Sequence, residues 1–580
     1  MRAKTRRVRP TLLALAALGL MLLLGGCAGA PSGGAGRTPT DPAAPVSAPT
    51  APAPTPVPTP PPYAELVQHR WSAVGSFGPE EWDTDLPMER VGDNVFEVEL
   101  WLERGDELKA RMDEGWTVNF GADGALDGVN CAAEARGLYT LRLELFDEER
   151  AALELIGPLE RDAAWSAVGT IGGGDWDREL PLHPAGRGIY ARELQGLRAG
   201  EELRACPAGE PGLAFGADGS PDGPALTVPA DGDYVLWLAE AESGEKRLEL
   251  WPRETRLSEW CAVGSIYASR WQIDFPLTQI GPDRAVLLCP DLRAGEELLL
   301  RRDGSWARVL GAVGPGDETA LTVPADGNYL LELQEGESGA ELRLLPQDAD
   351  PGQLRLQARL LEARLMARYP LCFHPGQVYG EGQVRADSDG DLPGILRQLR
   401  LLEDLLQKLP AGFPEELCGP VPGGADETER PIDVYLVREV PGEQVAQANA
   451  WGRHMSLVFQ CGGESAPMAA AHELMHLIDR RLTLLDAGFE ADWEALTPPG
   501  LAQAEDPALW RDYFVSDYAR LSPAEDRAEV FAYLFHRSPR DESGWCAGRP
   551  GLERKALALQ QAIRAAFPSV RALERAWWER

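Results

Sequence analysis

One short motif recurs three times in the N-terminal part of this chain, at nearly equal intervals. It is Trp-Ser-Ala-Val-Gly at Trp71 and Trp165 and Trp-Cys-Ala-Val-Gly at Trp260, so its starts lie 94 and 95 residues apart. In each copy a second tryptophan follows 11 residues later, at Trp82, Trp176 and Trp271. Self-similarity at a fixed period marks repeated structural units, and about 95 residues is long enough for each unit to have its own core. The chain is therefore predicted to contain three similar domains, arranged as beads rather than as a solenoid.

Within the repeats, short segments of alternating polarity are separated by turns rich in glycine and aspartate. Tyr234–Leu238 is an example, and it follows the turn-forming sequence Ala-Asp-Gly-Asp. Many short strands joined by such turns predict an antiparallel β-sandwich. We place three β-sandwich repeats at residues 65–157, 160–252 and 256–346.

With these motifs the repeats resemble the carbohydrate-binding domains of starch-utilisation lipoproteins of the outer membrane. The resemblance implies a glycan site in which an aromatic platform and nearby polar side chains bind the sugar. In repeat one it points to Lys109, Trp116 and Asn119. Repeat two has Arg204 and Leu213 where Lys109 and Trp116 would be expected, and repeat three keeps Trp306 but lacks the lysine. The alternative is that Trp116 is a core residue and the repeats are spacers; the tryptophans that begin the repeats are predicted to be core residues.

The N-terminus has the pattern of an export signal. A basic segment is followed by an apolar run over 12–24, which is too short for a convincing membrane span. The run ends in Leu-Gly-Gly-Cys27, which resembles the lipobox of bacterial lipoproteins and implies removal of residues 1–26 and lipidation of Cys27. Residues 27–64, rich in proline, alanine and threonine, are predicted to be an extended tether. The alternative is an uncleaved anchor; either way the folded part is expected outside the cytoplasm. With the resemblance to a lipobox, we expect a membrane-anchored lipoprotein on the cell surface.

Charge and cysteine content limit the remaining classes of partner. The formal net charge of −35 argues against nucleic acid and anionic lipid surfaces. Beyond Cys27 there are eight cysteines, and none forms a C-x-x-C pair, so a structural zinc knuckle is not expected. Four of them lie in the C-terminal region, where up to two disulfides could form in an oxidising compartment.

Beyond residue 346 the pattern changes from strands to helices. Leu354–Tyr369 and Ile395–Leu409 carry apolar residues at helical spacing, while Ile432–Val437 and Met455–Phe459 are predicted strands. We therefore predict an α+β, mainly helical domain over 350–580. The second strand comes shortly before the helix described next, and in zinc peptidases a strand there commonly pairs with an extended peptide.

The sequence His472-Glu473-Leu-Met-His476 is typical of a zinc-binding helix. Histidines four residues apart lie on one face of a helix and can bind one zinc ion, with the glutamate between them as general base. Asp479 shares this face and could orient a ligand imidazole. The alternative is a buried amphipathic helix with two incidental histidines. The domain's other histidines, His374, His454 and His536, are predicted not to be ligands.

A zinc ion held by two histidines needs a third protein ligand. A second helix is predicted to begin after Ser522, with Pro523 in its first turn, and it carries Glu525 and Glu529 one turn apart. Glu525 could also complete a capping box with Ser522, so these residues alone leave the choice of ligand open.

The pairing of H-E-x-x-H-x-x-D with Tyr518-x6-Glu525-x-x-Ala-Glu529 resembles the zincin-like protease domain of anthrax lethal factor and the clostridial Pro-Pro endopeptidases. It also resembles zinc-binding metallopeptidases of bacterial surfaces. The resemblance implies that Glu525 is the third zinc ligand and Tyr518 the catalytic tyrosine. Glu529 is then a residue behind the ligands, or a capping or surface residue. This chain departs from the family's pattern at Leu474-Met475, where relatives often carry a glycine before the second histidine.

These features predict a lipid-anchored zinc metalloendopeptidase that cleaves surface or extracellular proteins and carries three glycan-binding β-domains. Its expected partners are a peptide or protein substrate, a glycan, and a membrane reached through the lipid anchor only. The alternative is a glycan-binding surface lipoprotein with an inactive peptidase domain. The complete set His472, Glu473, His476, Tyr518 and Glu525 favours the enzyme.

Overall fold

The computed structural model describes residues 62–579, apart from 78–81, 83–84, 103, 136, 159–163, 172–175, 177, 222, 337–338, 348–349, 421–429, 443, 452–453, 464–466 and 537–544. The predicted signal at 1–26, Cys27 and nearly all of the tether at 27–64 lie outside the described residues. The described residues belong to one compact unit, Thr59–Arg580. Among the helices described, none has the length and apolar character needed to cross a membrane.

Repeat one is two antiparallel sheets that share a core. After the short helix α1 (Tyr63–Leu66) come β1 (Trp71–Gly75), β2 (Leu86–Pro87), β3 (Glu89–Arg90), β4 (Val95–Leu102), β5 (Glu107–Met112), β6 (Asn119–Phe120), β7 (Cys131–Ala132), β8 (Gly137–Leu145) and β9 (Ala151–Ile156). One sheet has the order β2-β1-β5-β6, with β7 also on β5, and the other has the order β3-β4-β8-β9. Trp71 joins them, since its ring lies 6.3 Å from Phe96 of one sheet and 5.7 Å from Phe120 of the other.

Repeats two and three are built on a similar strand plan. Repeat two contains β10 (Trp165–Gly169), β11 (Leu180–Gly186), β12 (Ile189–Leu197), β13 (Glu202–Pro207), β14 (Leu226–Thr227), β15 (Gly232–Glu240) and β16 (Lys246–Pro252). Repeat three contains β17 (Arg256–Gly264), β18 (Phe275–Gly281), β19 (Arg284–Leu292), β20 (Glu297–Arg302), β21 (Ser305–Leu310), β22 (Leu321–Thr322), β23 (Gly327–Gly336) and β24 (Gly339–Pro346). All their strand pairs are antiparallel. β11 pairs with β10 and β12, and β18 pairs with β17 and β19, so in each repeat one strand links the two halves of a sandwich-like sheet.

The repeated motif has a packing explanation at both ends. Trp71 and Trp165 are buried and Trp260 is half-buried, in agreement with their prediction as core residues. The final glycine lies against the backbone of the neighbouring strand. A Cβ there would come within 2.2 Å of a carbonyl oxygen at Gly75, 1.9 Å at Gly169 and 2.0 Å at Gly264. Only glycine permits this close approach of two strands.

The C-terminal region is mainly helical and encloses a small mixed sheet. Its elements are α2 (Pro351–Arg368), β25 (Leu371–Phe373), β26 (Val384–Arg385), α3 (Leu392–Gln407), α4 (Phe413–Cys418), β27 (Ile432–Glu439), β28 (Ala446–Trp451), β29 (His454–Gln460), α5 (Ala469–Leu485), α6 (Phe489–Glu494), α7 (Pro507–Trp510), α8 (Pro523–His536), α9 (Pro550–Ala566) and α10 (Pro568–Arg571). The sheet order is β25-β27-β29-β28, with β26 also on β27. The two predicted helices and two predicted strands correspond to α2, α3, β27 and β29.

Repeats two and three are not separate beads, because α2 and α3 pack directly on them. Leu356 and Leu360 of α2 share an apolar cluster with Trp237 of repeat two, and Leu401 of α3 is part of the core of repeat three. Ion pairs flank these contacts: Arg364 binds Glu249 at 2.7 Å, and Arg397 binds Asp291. The prediction that each repeat has its own core is confirmed. It did not include the apolar surface left on the sheets of repeats two and three, which α2 and α3 cover.

The disulfides considered for the C-terminal region do not form. The eight cysteines beyond Cys27 are all buried, and they are not joined in disulfides. Cys418, Cys461 and Cys546 lie within the large apolar core of this region, where they pack as small hydrophobic residues.

Candidate metal centre

Helix α5 presents its two histidines at the boundary between the core and solvent. His472 is 8% exposed and His476 is half-buried, while Leu474, Met475 and Ile478 face the apolar core. This separation follows from the helical period, which places residues four apart on one face. The helix therefore fixes both imidazoles from its buried side.

Helix α8 packs against α5 and brings a carboxylate to the two imidazoles. Oε2 of Glu525 lies 3.0 Å from Nε2 of His472 and 3.5 Å from Nε2 of His476. The two Nε2 atoms lie 3.2 Å apart. Ser522 does cap α8 through the Glu525 amide, at 3.2 Å, but the Glu525 carboxylate turns to the histidines. The ligand role implied for Glu525 thus has the required geometry.

These three atoms fit a tetrahedral zinc ion. With zinc–ligand bonds of 2.0–2.2 Å, the edges of a tetrahedron are roughly 3.3–3.6 Å, close to the three separations found here. Burial alone would lower the pKa of His472, but hydrogen bonds with Glu525 and Glu529 raise the pKa to about 9. Burial would likewise raise the pKa of Glu525, but its bonds with His472 and His476 lower the pKa to about 2. Both shifts reflect the mutual attraction of the carboxylates and the imidazoles in this cluster.

Glu529 lies behind His472, on the side away from the other ligands. Its Oε1 is 3.2 Å from Nδ1 of His472, and its Oε2 accepts a hydrogen bond of 2.8 Å from Ser516 Oγ. A carboxylate on Nδ1 fixes the tautomer and orientation of a ligand imidazole. Sequence reasoning missed Ser516, although it stands in the same stretch, two residues before Tyr518.

Asp479 contacts a different group from the imidazole that the sequence suggested. Its carboxylate binds the buried guanidinium of Arg527 at 2.5 and 2.7 Å. Arg527 lies on α8, two residues after Glu525, and its guanidinium is within 5.4 Å of the Phe489 ring centre. The pair joins α5 to α8, so Asp479 positions the helix that carries Glu525.

Glu473 and Tyr518 lie beside the three donor atoms. Glu473 is 9% exposed; its pKa is raised by burial, against the effect of His472 and His476, and its carboxylate accepts a hydrogen bond from the Ala448 backbone. Tyr518 is 42% exposed, with its ring centre 5.7 Å from that of His472, and burial raises the pKa of its hydroxyl. Thus a carboxylate and a phenol lie next to the cluster.

The strand that lies beside Glu473 is not the one that the sequence suggested. β29 lies inside the sheet, paired with β27 on one side and β28 on the other. Among the described strands β28 forms the edge of the sheet next to β29, to which it runs antiparallel, and β25 and β26 lie at the other edge. Because β28 also supplies the Ala448 amide to Glu473, it is the strand available to an extended peptide.

In repeat one the three residues predicted to bind glycan lie together. Lys109 Nζ is 3.2 Å from Asn119 Oδ1, and Asn119 Nδ2 donates to the Trp116 carbonyl at 3.1 Å. Trp116 is 46% exposed, so it is not a core residue. Its ring centre lies 6.0 Å from that of Trp82, and the Arg111 guanidinium supports it at 4.7 Å. This support was not predicted from the sequence.

The equivalent places in the other repeats have changed chemistry. Repeat three keeps the aromatic pair, with Trp271 and Trp306 ring centres 6.3 Å apart, but Leu299 and Val309 stand in place of Lys109 and Asn119. In repeat two the Ala205–Phe215 bridge matches the pairing of Ala110 with Phe120. Phe215 therefore corresponds to Phe120, and Pro211, four residues before Phe215, corresponds to Trp116. This corrects the prediction that Leu213 occupies that position.

No family model matches this chain, and no curated protein matches it. Among solved structures, it is similar to SusF from Bacteroides thetaiotaomicron at 15% identity and a TM-score of 0.13, over 48% of this chain and 72% of that one. It is also similar to a "putative zinc-binding metallo-peptidase" from Bacteroides caccae at 14% identity and a TM-score of 0.27, over 38% and 87%. Because both TM-scores are so low, we base no conclusion on them.

Proposed function

We propose that this protein is a zinc metalloendopeptidase whose centre is formed by α5 and α8. The observation that carries the proposal is the convergence of His472 Nε2, His476 Nε2 and Glu525 Oε2, all within 3.5 Å of one another. These are the donor types that a catalytic zinc site uses, and such a site keeps a fourth position open. Zinc bound there would act as a Lewis acid and lower the pKa of water.

The surrounding side chains supply the other steps of peptide hydrolysis. Glu473, held by the Ala448 amide, accepts the proton of the attacking water and later returns it to the leaving amine. The Tyr518 hydroxyl donates a hydrogen bond to the oxygen that becomes negative in the tetrahedral intermediate. The edge strand β28 binds the substrate backbone in extended form by adding it to the sheet. Peptides and proteins are therefore the proposed substrates.

The test is cleavage of a peptide library by the purified protein, with zinc measured on the same sample. Wild type should hold zinc and cleave, whereas Glu473→Gln should hold zinc and melt normally but lose turnover. Glu494→Gln, an exposed carboxylate on α6, is the matched control and should behave as wild type. Normal turnover in Glu473→Gln would remove the proposed base and the mechanism with it.

We propose that repeat one adds a glycan site to this enzyme. The exposed Trp116 ring offers a face on which a sugar ring can stack. Lys109 and Asn119 are 8% and 2% exposed, and they support this ring from below through the Lys109–Asn119 hydrogen bond and the bond from Asn119 to the Trp116 carbonyl. Together with lipidation at Cys27, this would hold the enzyme on the cell surface near glycan. The competing function, a glycan-binding lipoprotein with an inactive peptidase domain, predicts glycan retention without any cleavage in the same library assay.

A further inference from the structure

Three side chains with metal-binding donors meet on the face of the C-terminal sheet that is turned away from α5. β25 and β27 are parallel, and their register places Cys372 beside Asp433. Leu371, Phe373, Ile432 and Val434 belong to the apolar core shared with α5. Because side chains alternate along a strand, Cys372 and Asp433 point to the opposite face. His374 follows directly at the end of β25.

The donor atoms of this group are close enough to share one ion. His374 Nε2 lies 2.8 Å from Asp433 Oδ1, and the thiol, imidazole and carboxylate donors all lie within 4.8 Å of one another. The His374 ring is stacked on Tyr435, with ring centres 4.7 Å apart and an angle of 11°. Cys372 is 8% exposed, while 26% of the Asp433 side chain is open to solvent, so an ion could enter past Asp433.

We propose that Cys372, His374 and Asp433 form a second binding site for a divalent transition metal, with zinc as the first choice. Thiolate, imidazole and carboxylate are its common ligands, and the two anionic groups balance its charge. A tetrahedral ion with bonds of 2.0–2.3 Å separates its ligands by roughly 3.3–3.6 Å. The His374–Asp433 pair then opens slightly and the thiol moves closer. The Cys372 thiol loses its proton to solvent as the metal–sulfur bond forms.

This site is separate from the first one and has a different consequence. The first site lies on α5 and α8, whereas this one joins β25 to β27 on the far face of the sheet. Its metal would hold together two strands distant in sequence, so it acts on stability rather than on the peptide. The sequence analysis predicted that His374 is not a ligand. The pairing of β25 with β27, which brings Cys372 and Asp433 together beside it, is not visible in a sequence.

The thiolate gives a spectroscopic test that the first site cannot mimic. The first site has only nitrogen and oxygen donors, so a thiolate-to-cobalt charge-transfer band in the near ultraviolet reports the second site alone. The full chain with His472→Ala and His476→Ala is loaded with Co²⁺. We expect one cobalt per chain, the charge-transfer band, and a higher melting temperature than without metal.

Adding Cys372→Ser or His374→Phe should abolish the band and the bound cobalt. His374→Phe keeps a ring on Tyr435, so the loss cannot be assigned to missing packing. Cys418→Ser, which removes a buried thiol elsewhere in the core, should leave both unchanged. Absence of the band from the double-histidine variant, or its survival in Cys372→Ser, overturns the proposal. Neither outcome depends on whether the protein cleaves peptides.

Discussion

Glu525 and Glu529 contact the same imidazole from its two nitrogens. The Glu525 carboxylate contacts Nε2 of His472, on the side where His476 lies. The Glu529 carboxylate contacts Nδ1 of the same ring and accepts a hydrogen bond from Ser516. An imidazole that binds a metal does so through one nitrogen and donates its N–H from the other nitrogen, so the two glutamates have different tasks. The first completes the cluster, and the second orients one of its members.

Replacing each glutamate by alanine should separate these tasks. Glu525→Ala removes a donor, so stoichiometric zinc should be lost after dialysis. Glu529→Ala removes only the orienting bond, so zinc should remain, with affinity lower by about 10- to 100-fold. Zinc content and chelator competition measure both effects. Zinc retained by Glu525→Ala and lost by Glu529→Ala would reverse the assignment.

Tyr518 should affect the rate of the chemical step more than zinc binding. Its hydroxyl is placed to stabilise charge in the transition state, so Tyr518→Phe should lower kcat by about 10²–10³-fold with zinc unchanged. Steady-state kinetics on a peptide from the library measures this. A large rise in KM at constant kcat would instead make Tyr518 a substrate-binding residue.

For single residues, the sequence was most informative where the residues lie within one or two helical turns of each other. His472, Glu473 and His476 share one helical face through the helix period alone, and α5 places them as predicted. Arg527 could not be predicted as the partner of Asp479, because the contact joins two helices 48 residues apart. The same is true of Cys372 and Asp433, which only the strand register brings together.

At the scale of elements, the start of α3 is tied to the sheet by a buried carboxylate. Asp391 accepts hydrogen bonds from Arg438 of β27 at 2.7 and 2.6 Å, and also from Ser388. The Arg438 guanidinium holds the pKa of Asp391 well below its usual range. This bond fixes the orientation of a helix that also packs on repeat three.

The contribution of Asp391 to stability should depend on pH. Since its folded pKa is below its unfolded pKa of about 3.9, the stabilisation is full above that pH and is lost as the pH falls further. Asp391→Asn should therefore cost about 1 kcal/mol at pH 7 and progressively less towards pH 3. Urea unfolding at both pH values measures it. Asp389→Asn, an exposed neighbour, is the control; an equal cost at both pH values would contradict the prediction.

The edge strand shows why element order is harder to predict than element type. β29 was recognised because Met455–Phe459 is almost continuously apolar, which is typical of a strand buried on both faces. The same property places it inside the sheet. β28, with the sequence Ala-Gln-Ala-Asn-Ala-Trp, has little strand propensity and was missed, yet it is the strand next to Glu473.

For the whole molecule, the three repeats differ in what they can contribute. Repeat one keeps an exposed tryptophan with a lysine and an asparagine, and repeat three keeps the tryptophan pair over an apolar floor of Leu299 and Val309. The repeat period was evident from the sequence. The differences among the three copies follow from the strand registers, which place Arg204 and Leu299 at the position of Lys109.

Glycan binding by the full chain should therefore depend on repeat one. Trp116→Ala should abolish retention in affinity electrophoresis on α-glucan while leaving the melting temperature unchanged, because the ring is exposed. Trp306→Ala, the matched change in repeat three, should leave retention as in wild type. Lost retention in Trp306→Ala alone would move the site to repeat three. No retention of wild type on any glycan would leave the repeats as spacers.

The packing of α2 and α3 on repeats two and three has an evolutionary consequence. Domains that are independent beads can be exchanged between genes by recombination at their linkers. Here a gene fragment encoding residues 350–580 alone would expose Leu356, Leu360, Ala363 and Leu401 to water, since their cover belongs to the repeats. Such a fragment would tend to aggregate before selection could act on its chemistry. The segment that can be inherited intact is thus longer than the segment that carries the reaction, and it begins at repeat two.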